Sequence, residues 1–402
     1  MFQHFSRKLG AQLAAALASD APRKVVTLFG ARQTGKTTLM QECFAGLAGR
    51  KEFLNGDFDT DCVLLEPTRE ALARLAVNLD YLFVDEAQNV PDIGLVLKLL
   101  HDTYPALRIV ASGSASFDLR ASTGEPLTGR QRVLEMFPLS LGELSPRPTT
   151  LSTLIEHGLI YGAYPEVVTL STPEEKQRHL LQLVSDYLLK DIFALVETNR
   201  ERLRDLLRLL AFQIGSEVSF GEIAGALRCD IKTVERYLHF LEGAHVVLRV
   251  GAFARNLRKE ISKSRKIYFA DLGIRNALIN AFAPPPLRDD MGALWENYAV
   301  IERHKKLSLE GVNHSAYFWR TYDQQEIDYV EESGGQIRAY EFKWNSGGRG
   351  RSGGGTGNTA GNTAGAGPAT VRVKTPKAWR VAYPQSGEVS VVTPNDALDF
   401  LV

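Results

Sequence analysis

A run of apolar residues ends at Gly30, and a glycine-containing loop follows it and leads into helical sequence at Thr37. Between these residues the spacing is G-x-x-x-x-G-K-T, the pattern of a phosphate-binding loop. The two glycines permit backbone angles at which N–H groups turn inward around a phosphate, and the following helix directs its positive end at that anion. We predict that Lys36 contacts the β- and γ-phosphates of ATP and that Thr37 ligates Mg²⁺. The predicted nucleotide-binding residues are Gly30, Ala31, Arg32, Gln33, Thr34, Gly35, Lys36, Thr37 and Thr38.

Two carboxylates follow a second apolar run, Tyr81-Leu-Phe-Val, at Asp85 and Glu86. The carboxyl end of a parallel strand is where such sheets bind ligands, so Asp85 is predicted to hold Mg²⁺ through water. Glu86 is predicted to activate the attacking water as a general base. Ser114, after the next strand, is predicted to orient the same water. Arg130 is predicted to reach the γ-phosphate of a neighbouring copy in a homo-oligomer as an arginine finger, although a solvated loop arginine is an equal alternative.

The elements that must position these groups alternate between strand and helix from Lys24 to about Ser140. Such alternation predicts an α/β fold, a doubly wound parallel sheet of the P-loop NTPase type over residues 1–144. Residues 2–19 resemble a short secretory signal, but Gln12 interrupts the apolar run, and we predict an amphipathic helix packed on this sheet. The candidate strands are 24–29, 52–56, 81–85, 107–112 and 132–137.

Composition limits the remaining possibilities. The 402 residues are enough for two to three domains, and 47 basic residues balance 47 acidic ones, so any nucleic-acid binding must come from local patches. Three separated cysteines predict neither a disulfide framework nor a zinc site, which fits a cytoplasmic protein. No apolar run approaches the roughly 18 residues of a membrane helix, so no membrane partner is expected.

Several of these segments resemble AAA-type P-loop ATPases. The segments in question are Gly30–Thr38, Leu82–Gln88, Ser112–Ser116 and Glu125–Arg130. More narrowly, the chain resembles a bacterial and archaeal family in which this ATPase is fused to a C-terminal domain of unknown function. Tyr161–Glu166, Tyr187–Ile192 and Lys266–Gly273 match later segments of that family. The resemblance covers almost the whole chain except a Gly-rich stretch, and it implies ATP and Mg²⁺ as cofactors.

Residues 145–202 are predicted to be a helical lid beside the nucleotide, and residues 203–284 a winged helix. Ser219 opens a capping box, and an amphipathic helix over 231–243 would present Lys232 and Arg236 outward. A helix-turn-helix followed by a basic wing suits contact with the phosphate backbone of DNA, although winged helices also dock proteins. The predicted nucleic-acid contacts are Lys232, Arg236, Arg258, Lys259, Lys263, Arg265 and Lys266.

The last segment, 285–402, resembles the restriction-endonuclease-like fold. Glu296 lies in helical sequence, Asp328 on one strand, and Glu341 and Lys343 on the returning strand. The resemblance implies that Glu296, Asp328 and Glu341 bind Mg²⁺ and that Lys343 orients the attacking water. An ordinary hairpin, or a domain that binds without cutting, is the alternative. A Gly-rich insertion at 346–368 would be flexible and basic.

Together these patterns lead to two hypotheses of different classes. In the first, ATP hydrolysis drives binding or remodelling of DNA, branched or single-stranded. In the second, ATP controls a signalling or regulatory switch whose winged helix and C-terminal domain dock protein. Stimulation of ATP hydrolysis by DNA separates the two.

Overall fold

A computed structural model of the chain describes residues 5–18, 23–113, 127–188, 200–253, 265–321, 325–344, 375–376, 379–380, 383–386 and 388–402. Two sheets organise these residues: five strands lie in the first and seven in the second. The first sheet carries the P-loop, and the second joins the two C-terminal segments that the sequence separated.

The five strands of the first sheet are all parallel and lie in the order β2-β3-β4-β1-β5. Each lies within two residues of its predicted position, so the predicted α/β sheet is confirmed. All five residues of β1 are buried, which fits a central strand covered on both faces. The strands are β1 Val25–Phe29, β2 Lys51–Asn55, β3 Tyr81–Asp85, β4 Arg108–Gly113 and β5 Gln131–Glu135.

Helices cover both faces of this sheet and bury one apolar cluster on each face. Leu9, Leu13 and Leu17 are the buried stripe of the first helix, and they pack with Leu28 and Leu39. The described part of segment 2–19 is therefore the amphipathic helix expected from its sequence. The helices are α1 Leu9–Ala18, α2 Lys36–Gly46, α3 Asp59–Leu64, α4 Arg69–Ala76 and α5 Ile93–Thr103, with a 3₁₀ turn at Ala87–Asn89.

A helical layer follows the first sheet. Helices from the predicted lid and from the predicted winged helix share one core, which includes Leu180, Leu207 and Leu238. The described lid residues are thus packed into the next unit, and residues 189–199 lie outside the description. The elements are α6 Leu151–Tyr161, α7 Pro165–Thr169, α8 Pro173–Gln182, a π-helical turn Leu183–Leu188, α9 Arg200–Phe212, α10 Phe220–Ala226 and α11 Ile231–Gly243.

The second sheet has the order β12-β11-β10-β9-β7-β8-β6. The parallel pair of β7 and β9 joins strands on either side of the predicted boundary at 284/285, with Gly251 opposite Tyr317. One sheet therefore spans both predicted domains, because backbone hydrogen bonds continue across that boundary. The strands are β6 Glu217–Val218, β7 Val247–Ala252, β8 Arg265–Phe269, β9 Ser315–Arg320, β10 Glu326–Ser333, β11 Gln336–Phe342 and β12 Ser390–Val392.

Three helices and three short 3₁₀ turns complete the C-terminal part. The helices are α12 Leu272–Leu278, α13 Met291–Leu309 and α14 Ala397–Leu401, and the turns are Pro285–Leu287, Pro384–Ser386 and Pro394–Asp396. Helix α13 packs Leu294, Trp295 and Tyr298 into the core beneath the second sheet. Among the residues that the structure describes, no helix combines the length and apolar character needed to span a membrane.

Candidate nucleotide site and C-terminal acidic cluster

The P-loop has the backbone shape that its glycines predict. Gly30 sits so close to the end of β5 that a Cβ there would lie 2.2 Å from the carbonyl oxygen of Met136. Gly35 has φ 96° and caps helix α2, which begins at Lys36. Gln33 also has a positive φ, at 60°. These left-handed positions turn the loop around a concave space of the kind that backbone N–H groups line for phosphate.

Within that loop, Lys36 is buried, and its ammonium donates to the carbonyl oxygens of Gly30 and Ala31, each at 2.9 Å. The Thr34 hydroxyl closes the turn by donating to the carbonyl oxygen of Ala31 at 2.9 Å. Thr37 is half-buried at the first turn of the helix. The loop therefore holds a lysine and a hydroxyl at the helix start, which are the groups that a nucleotide phosphate and its Mg²⁺ require.

Arg7 supports this loop, a role that no sequence pattern predicts. Its guanidinium donates to the carbonyl oxygens of Thr34 at 2.6 Å and Phe137 at 2.7 Å, and it pairs with the buried Glu143 at 3.0 Å. These partners lie 27, 130 and 136 residues away along the chain. No local pattern could reveal such contacts, because they exist only once the sheet has formed.

Asp85 and Glu86 lie beside the P-loop at the same edge of the sheet. In the register, Val84 is level with Ala111 of β4, and Ala111 is level with Thr27 of β1. Asp85 is thus one step further along, toward the edge at which Gly30 begins the loop. Because the strands are parallel, the carboxylate and the phosphate loop share the ligand-binding edge.

Ser112 on β4 holds Asp85, a role that the sequence did not predict for any residue. The Ser112 hydroxyl donates to Asp85 Oδ1, and the Glu86 amide donates to that oxygen at 3.1 Å and to the Ser112 hydroxyl at 3.2 Å. Ser114 lies outside the described residues. Knowledge that β4 lies between β1 and β3 would have identified Ser112 as the residue level with Asp85.

Glu86 adopts a left-handed conformation, with φ 46°. Such a conformation costs a non-glycine residue of order 1–3 kcal/mol and is concentrated at functional sites. Its side chain accepts a hydrogen bond from the Gln88 amide at 2.5 Å. Backbone and side chain of Glu86 are therefore both fixed directly after the strand that carries Asp85.

These residues fit a Mg²⁺ ion held with a nucleotide. Asp85 is 1% exposed and has one carboxylate oxygen fixed by two donors, while Thr37 supplies a hydroxyl from the P-loop helix. Oxygen ligands of this kind, completed by phosphate oxygens and waters, are what Mg²⁺ prefers. When bound, the ion would be held by Thr37 and Asp85 and would offset the negative charge that develops on the phosphates.

Arg130 lies at the opposite end of the sheet from the P-loop. It directly precedes β5, and its carbonyl oxygen accepts from the amide of Val25, the first residue of β1. Its guanidinium pairs with Asp102 at 2.8 Å, and this pairing lowers the pKa of Asp102 to about 2. Arg130 is therefore placed away from the P-loop of its own chain, and its predicted role in a neighbouring copy stays a prediction.

The predicted nucleic-acid residues have different environments. Lys232 and Arg236 are exposed, four residues apart on helix α11, and Arg265 is half-buried at the start of β8. Arg258, Lys259 and Lys263 lie outside the described residues, as does the Gly-rich insertion 346–368.

The prediction for Lys266 is wrong, because its side chain points into the protein. Lys266 is 1% exposed, and its ammonium contacts Glu296 at 2.9 Å and Glu326 at 2.7 Å. The Tyr268 hydroxyl donates to the same Glu296 oxygen at 2.8 Å. Burial, the largest effect, lowers the pKa of Lys266, but the two carboxylates outweigh it and leave the pKa raised. An ammonium held in this way is not available to a phosphate backbone.

The other acids of the C-terminal cluster also have protein partners. Asp328 is opposite Glu341 in the antiparallel register and accepts from the Phe342 amide at 2.8 Å. Lys343 lies 3.2 Å from Glu341. Among the described residues, no group of three or more His, Cys, Asp or Glu side chains is arranged to hold a metal ion. The predicted Mg²⁺ site at Glu296, Asp328 and Glu341 stays a prediction, and one of its acids, Glu296, already contacts the ammonium of Lys266.

The acids of this cluster have raised pKa values. Burial raises the pKa of Glu296 to about 7; Lys266 opposes this rise and Asp328 adds to it. Burial also raises the pKa of Asp328 and of Glu341. A carboxyl group with a pKa near neutrality is partly protonated at pH 7, so the cluster carries less negative charge than its composition implies.

Three segments of the chain match known families. Residues 22–145 match a family described as an AAA domain. Residues 152–284 and 291–366 match two domains of unknown function, DUF8612 and DUF4143. The family match and the P-loop geometry agree, and they show that the N-terminal sheet is an AAA-type P-loop ATPase domain. The resemblance of this region to AAA-type ATPases is confirmed.

Relatives and solved structures add little about function. The uncharacterized protein Rv2008c of Mycobacterium tuberculosis is 29% identical over 327 residues, which cover 80% of this chain and 70% of that protein. The Thermotoga maritima RuvB Holliday junction branch migration motor has a TM-score of 0.30 at 17% identity, covering 65% of this chain and 92% of that one. Drosophila ORC bound to AT-rich DNA and Cdc6 has a TM-score of 0.26 at 13% identity, covering 68% and 90%. Structural likeness at this level carries no argument.

Proposed function

We propose that the chain is a Mg²⁺-dependent ATP hydrolase that couples hydrolysis to binding or remodelling of DNA. The main support for hydrolase activity is the geometry at one edge of the first sheet. There the P-loop lies beside Asp85, and the Ser112 hydroxyl holds the Asp85 carboxylate. A phosphate-binding loop without an acid beside it would favour binding alone. Here the acid is buried, oriented and followed directly by Glu86.

In this mechanism Lys36 would exchange its two loop carbonyls for phosphate oxygens, and Thr37 and Asp85 would hold the Mg²⁺ ion. Glu86 takes the proton from the attacking water, and Gln88 keeps its carboxylate in position. General-base catalysis of this kind contributes roughly 10²–10⁴-fold to the rate. Electrostatic stabilisation by Lys36 and by the helix start supplies much of the rest.

Exposed basic residues support DNA as the partner. Lys232 and Arg236 lie on one face of α11, the second helix of a pair that a capped turn joins to α10. Asp230 caps α11 by accepting from the Thr233 amide at 2.7 Å, so the helix start is fixed. We assign helices α9–α11 with strands β7 and β8 to a winged helix whose second helix faces the nucleic acid.

ATP hydrolysis measured with and without DNA tests this proposal. Single-stranded, duplex and four-way DNA should stimulate the wild type, and the Lys232→Glu, Arg236→Glu double variant should lose most of that stimulation while keeping its basal rate. Arg69→Glu, an exposed charge reversal on helix α4 of the ATPase domain, is the matched control. Stimulation that falls steeply with salt is expected of phosphate contacts. If none of these DNA substrates changes the rate of ATP hydrolysis, the proposal that DNA is the partner is contradicted.

One observation favours the competing switch that docks protein. Two large apolar side chains on the same helical unit are exposed: Phe212 at the end of α9 is 70% exposed and Ile231 at the start of α11 is 49% exposed. If DNA has no effect on the rate, a double variant Phe212→Ser, Ile231→Ser should still lose binding of a protein partner. A nuclease-like site at Asp328, Glu341 and Lys343 stays a prediction, with the ammonium of Lys343 3.2 Å from Glu341.

A further inference from the structure

Two histidines from distant parts of the chain flank an aromatic ring beside the P-loop. The ring of Phe137, just after β5, has its centroid 6.2 Å from the ring of His245 and 5.5 Å from that of His304, both in edge-on geometry. His245 follows α11 in a left-handed conformation with φ 53°, and His304 belongs to α13. The carbonyl of Phe137 is tied through Arg7 to that of Thr34 in the P-loop. Three regions of the fold therefore meet beside the phosphate loop.

The charges around the pair favour neutral imidazoles in the absence of an anion. Burial lowers the pKa of His245 to about 4, and the positive charge of Lys36 contributes. Burial lowers the pKa of His304 to about 4 as well, with further effects of His314, His245 and Lys305. Arg7, paired with Glu143, adds another cation on the side of the P-loop. Two of these cations have acidic partners, Arg7 with Glu143 and Lys305 with Glu302 at 2.7 Å, and Lys36 is the cation that lowers the pKa of His245.

Hydrogen bonds fix which nitrogens can take up a proton. His314 Nδ1 lies 3.2 Å from the carbonyl oxygen of Val312 and can only donate to it, so the Nε2 of a neutral His314 accepts. That nitrogen lies 3.2 Å from His304 Nδ1, which must then donate. The Nε2 of His304 is left with a lone pair and is the basic site of the chain of rings.

We propose that His245 and His304 form a second wall of the nucleotide site and that the P-loop binds nucleotide together with a proton on this pair. The inference rests on the proposed binding of ATP. A bound triphosphate replaces the positive field of Lys36 with a negative one, and the charged imidazolium becomes favourable. A single proton moves from solvent to one imidazole nitrogen, and no covalent bond of the nucleotide changes.

Through these two histidines, binding of nucleotide would be coupled to the α11 unit and to helix α13. His245 belongs to the unit of α11, and His304 to the helix that packs beneath the second sheet. Between the pKa values of the free and the bound protein, affinity for nucleotide should rise by up to about tenfold for each pH unit of acidification. Dissociation of phosphate after hydrolysis would release the proton from the histidine pair to solvent.

Isothermal titration calorimetry of MgATP into the full chain tests the inference. Titrations at pH 6.5 in two buffers of different ionisation enthalpy count the protons taken up on binding. The wild type should take up as much as about one proton more than a His245→Gln, His304→Gln variant. His157→Gln is the matched control, because burial also lowers the pKa of His157 to about 4, yet its ring packs on Tyr161 in helix α6. This control should behave as the wild type.

The outcomes separate the inference from the function on which it rests. If the wild type and Lys36→Ala bind MgATP equally poorly, the proposed function fails. If the wild type binds and proton uptake is the same in the histidine variant, the inference is overturned. Should that variant fold poorly, nuclear magnetic resonance of wild-type histidine ring protons replaces it. The titration midpoint of at least one of the two histidines should then rise with MgATP, and unchanged midpoints would contradict the inference.

Discussion

Asp85 and Asp328 are both strand carboxylates next to a second polar residue on a neighbouring strand, yet their surroundings differ in one respect. Among the described residues, Asp85 accepts from two neutral donors, the Ser112 hydroxyl and the Glu86 amide, at an edge that the P-loop shares. Asp328 belongs to a cluster in which the ammonium of Lys266, from a third strand, already bridges Glu296 and Glu326. We therefore propose an external cation at the first site, whereas the second already contains an internal one.

This difference shows why a list of acids is a weak guide to metal binding. Neutral donors orient a carboxylate but leave its charge to be matched by an ion, whereas a buried lysine matches the charge itself. The P-loop edge is therefore the site that depends on a ligand. The C-terminal cluster instead joins β8 to the strand β10 and the helix α13.

The largest expected effect is on ATP turnover, and it tests whether the P-loop site needs a residue from a neighbouring copy of the chain. If Arg130 serves a neighbouring copy, Arg130→Ala should lower turnover by about 10³-fold or more with nucleotide affinity unchanged. Mixing it with Lys36→Ala subunits should restore some hydrolysis at mixed interfaces. Arg132→Ala, an exposed neighbour on β5, is the control. A monomeric protein by light scattering, with no rescue at any ratio, would reject the role in a neighbouring copy.

The second effect is on stability and concerns the internal cation. Lys266→Met leaves buried carboxylates without their partner, so the free energy of unfolding should fall by about 3–5 kcal/mol in denaturant titrations. Adding Glu296→Gln and Glu326→Gln should recover most of the loss. Stability unchanged by Lys266→Met would mean that the cluster does not depend on this lysine, and the contrast with Asp85 would disappear.

A smaller effect is expected at the hydroxyl that orients Asp85. Ser112→Ala should lower ATP turnover by about 10–100-fold, as is usual when a group supporting a metal ligand is lost. Binding of ATP should change less, because Lys36 and the loop amides remain. Thr27→Val is the control, since its buried hydroxyl on β1 has no hydrogen-bond partner in the described structure. Equal ATP turnover in Ser112→Ala and Thr27→Val would show that the Ser112 hydroxyl does not support catalysis by orienting Asp85.

A further effect, confined to acidic pH, is on the pH dependence of stability. His157, His245 and His304 have pKa values lowered to about 4 from the ordinary 6.5. Between these values the unfolded chain binds more protons than the folded one, so stability rises with pH and is lost as pH falls from about 6.5 toward 4. Thermal unfolding followed across that range should show the loss, and replacing the three histidines with glutamine should flatten it.

Local sequence was enough to predict the first site and not enough for the second. The P-loop and the strand ending at Asp85 are read from neighbouring residues, because backbone angles and strand edges are local or nearly so. Ser112 and Arg7 needed the strand order and long-range contacts. Lys266 was assigned to an exposed basic wing from its neighbours in sequence. Only the pairing of β8 within the second sheet reveals that this side chain is buried against acids of another segment.

Turnover and nucleotide binding of Glu86→Gln test the central claim, that the shared edge of the first sheet hydrolyses ATP. The variant keeps Lys36, Thr37 and Asp85 but loses the base. It should bind MgATP with wild-type affinity and hydrolyse it about 10²–10⁴-fold more slowly than the wild type. Wild-type turnover in Glu86→Gln would contradict the assignment of Glu86 and with it the hydrolytic mechanism.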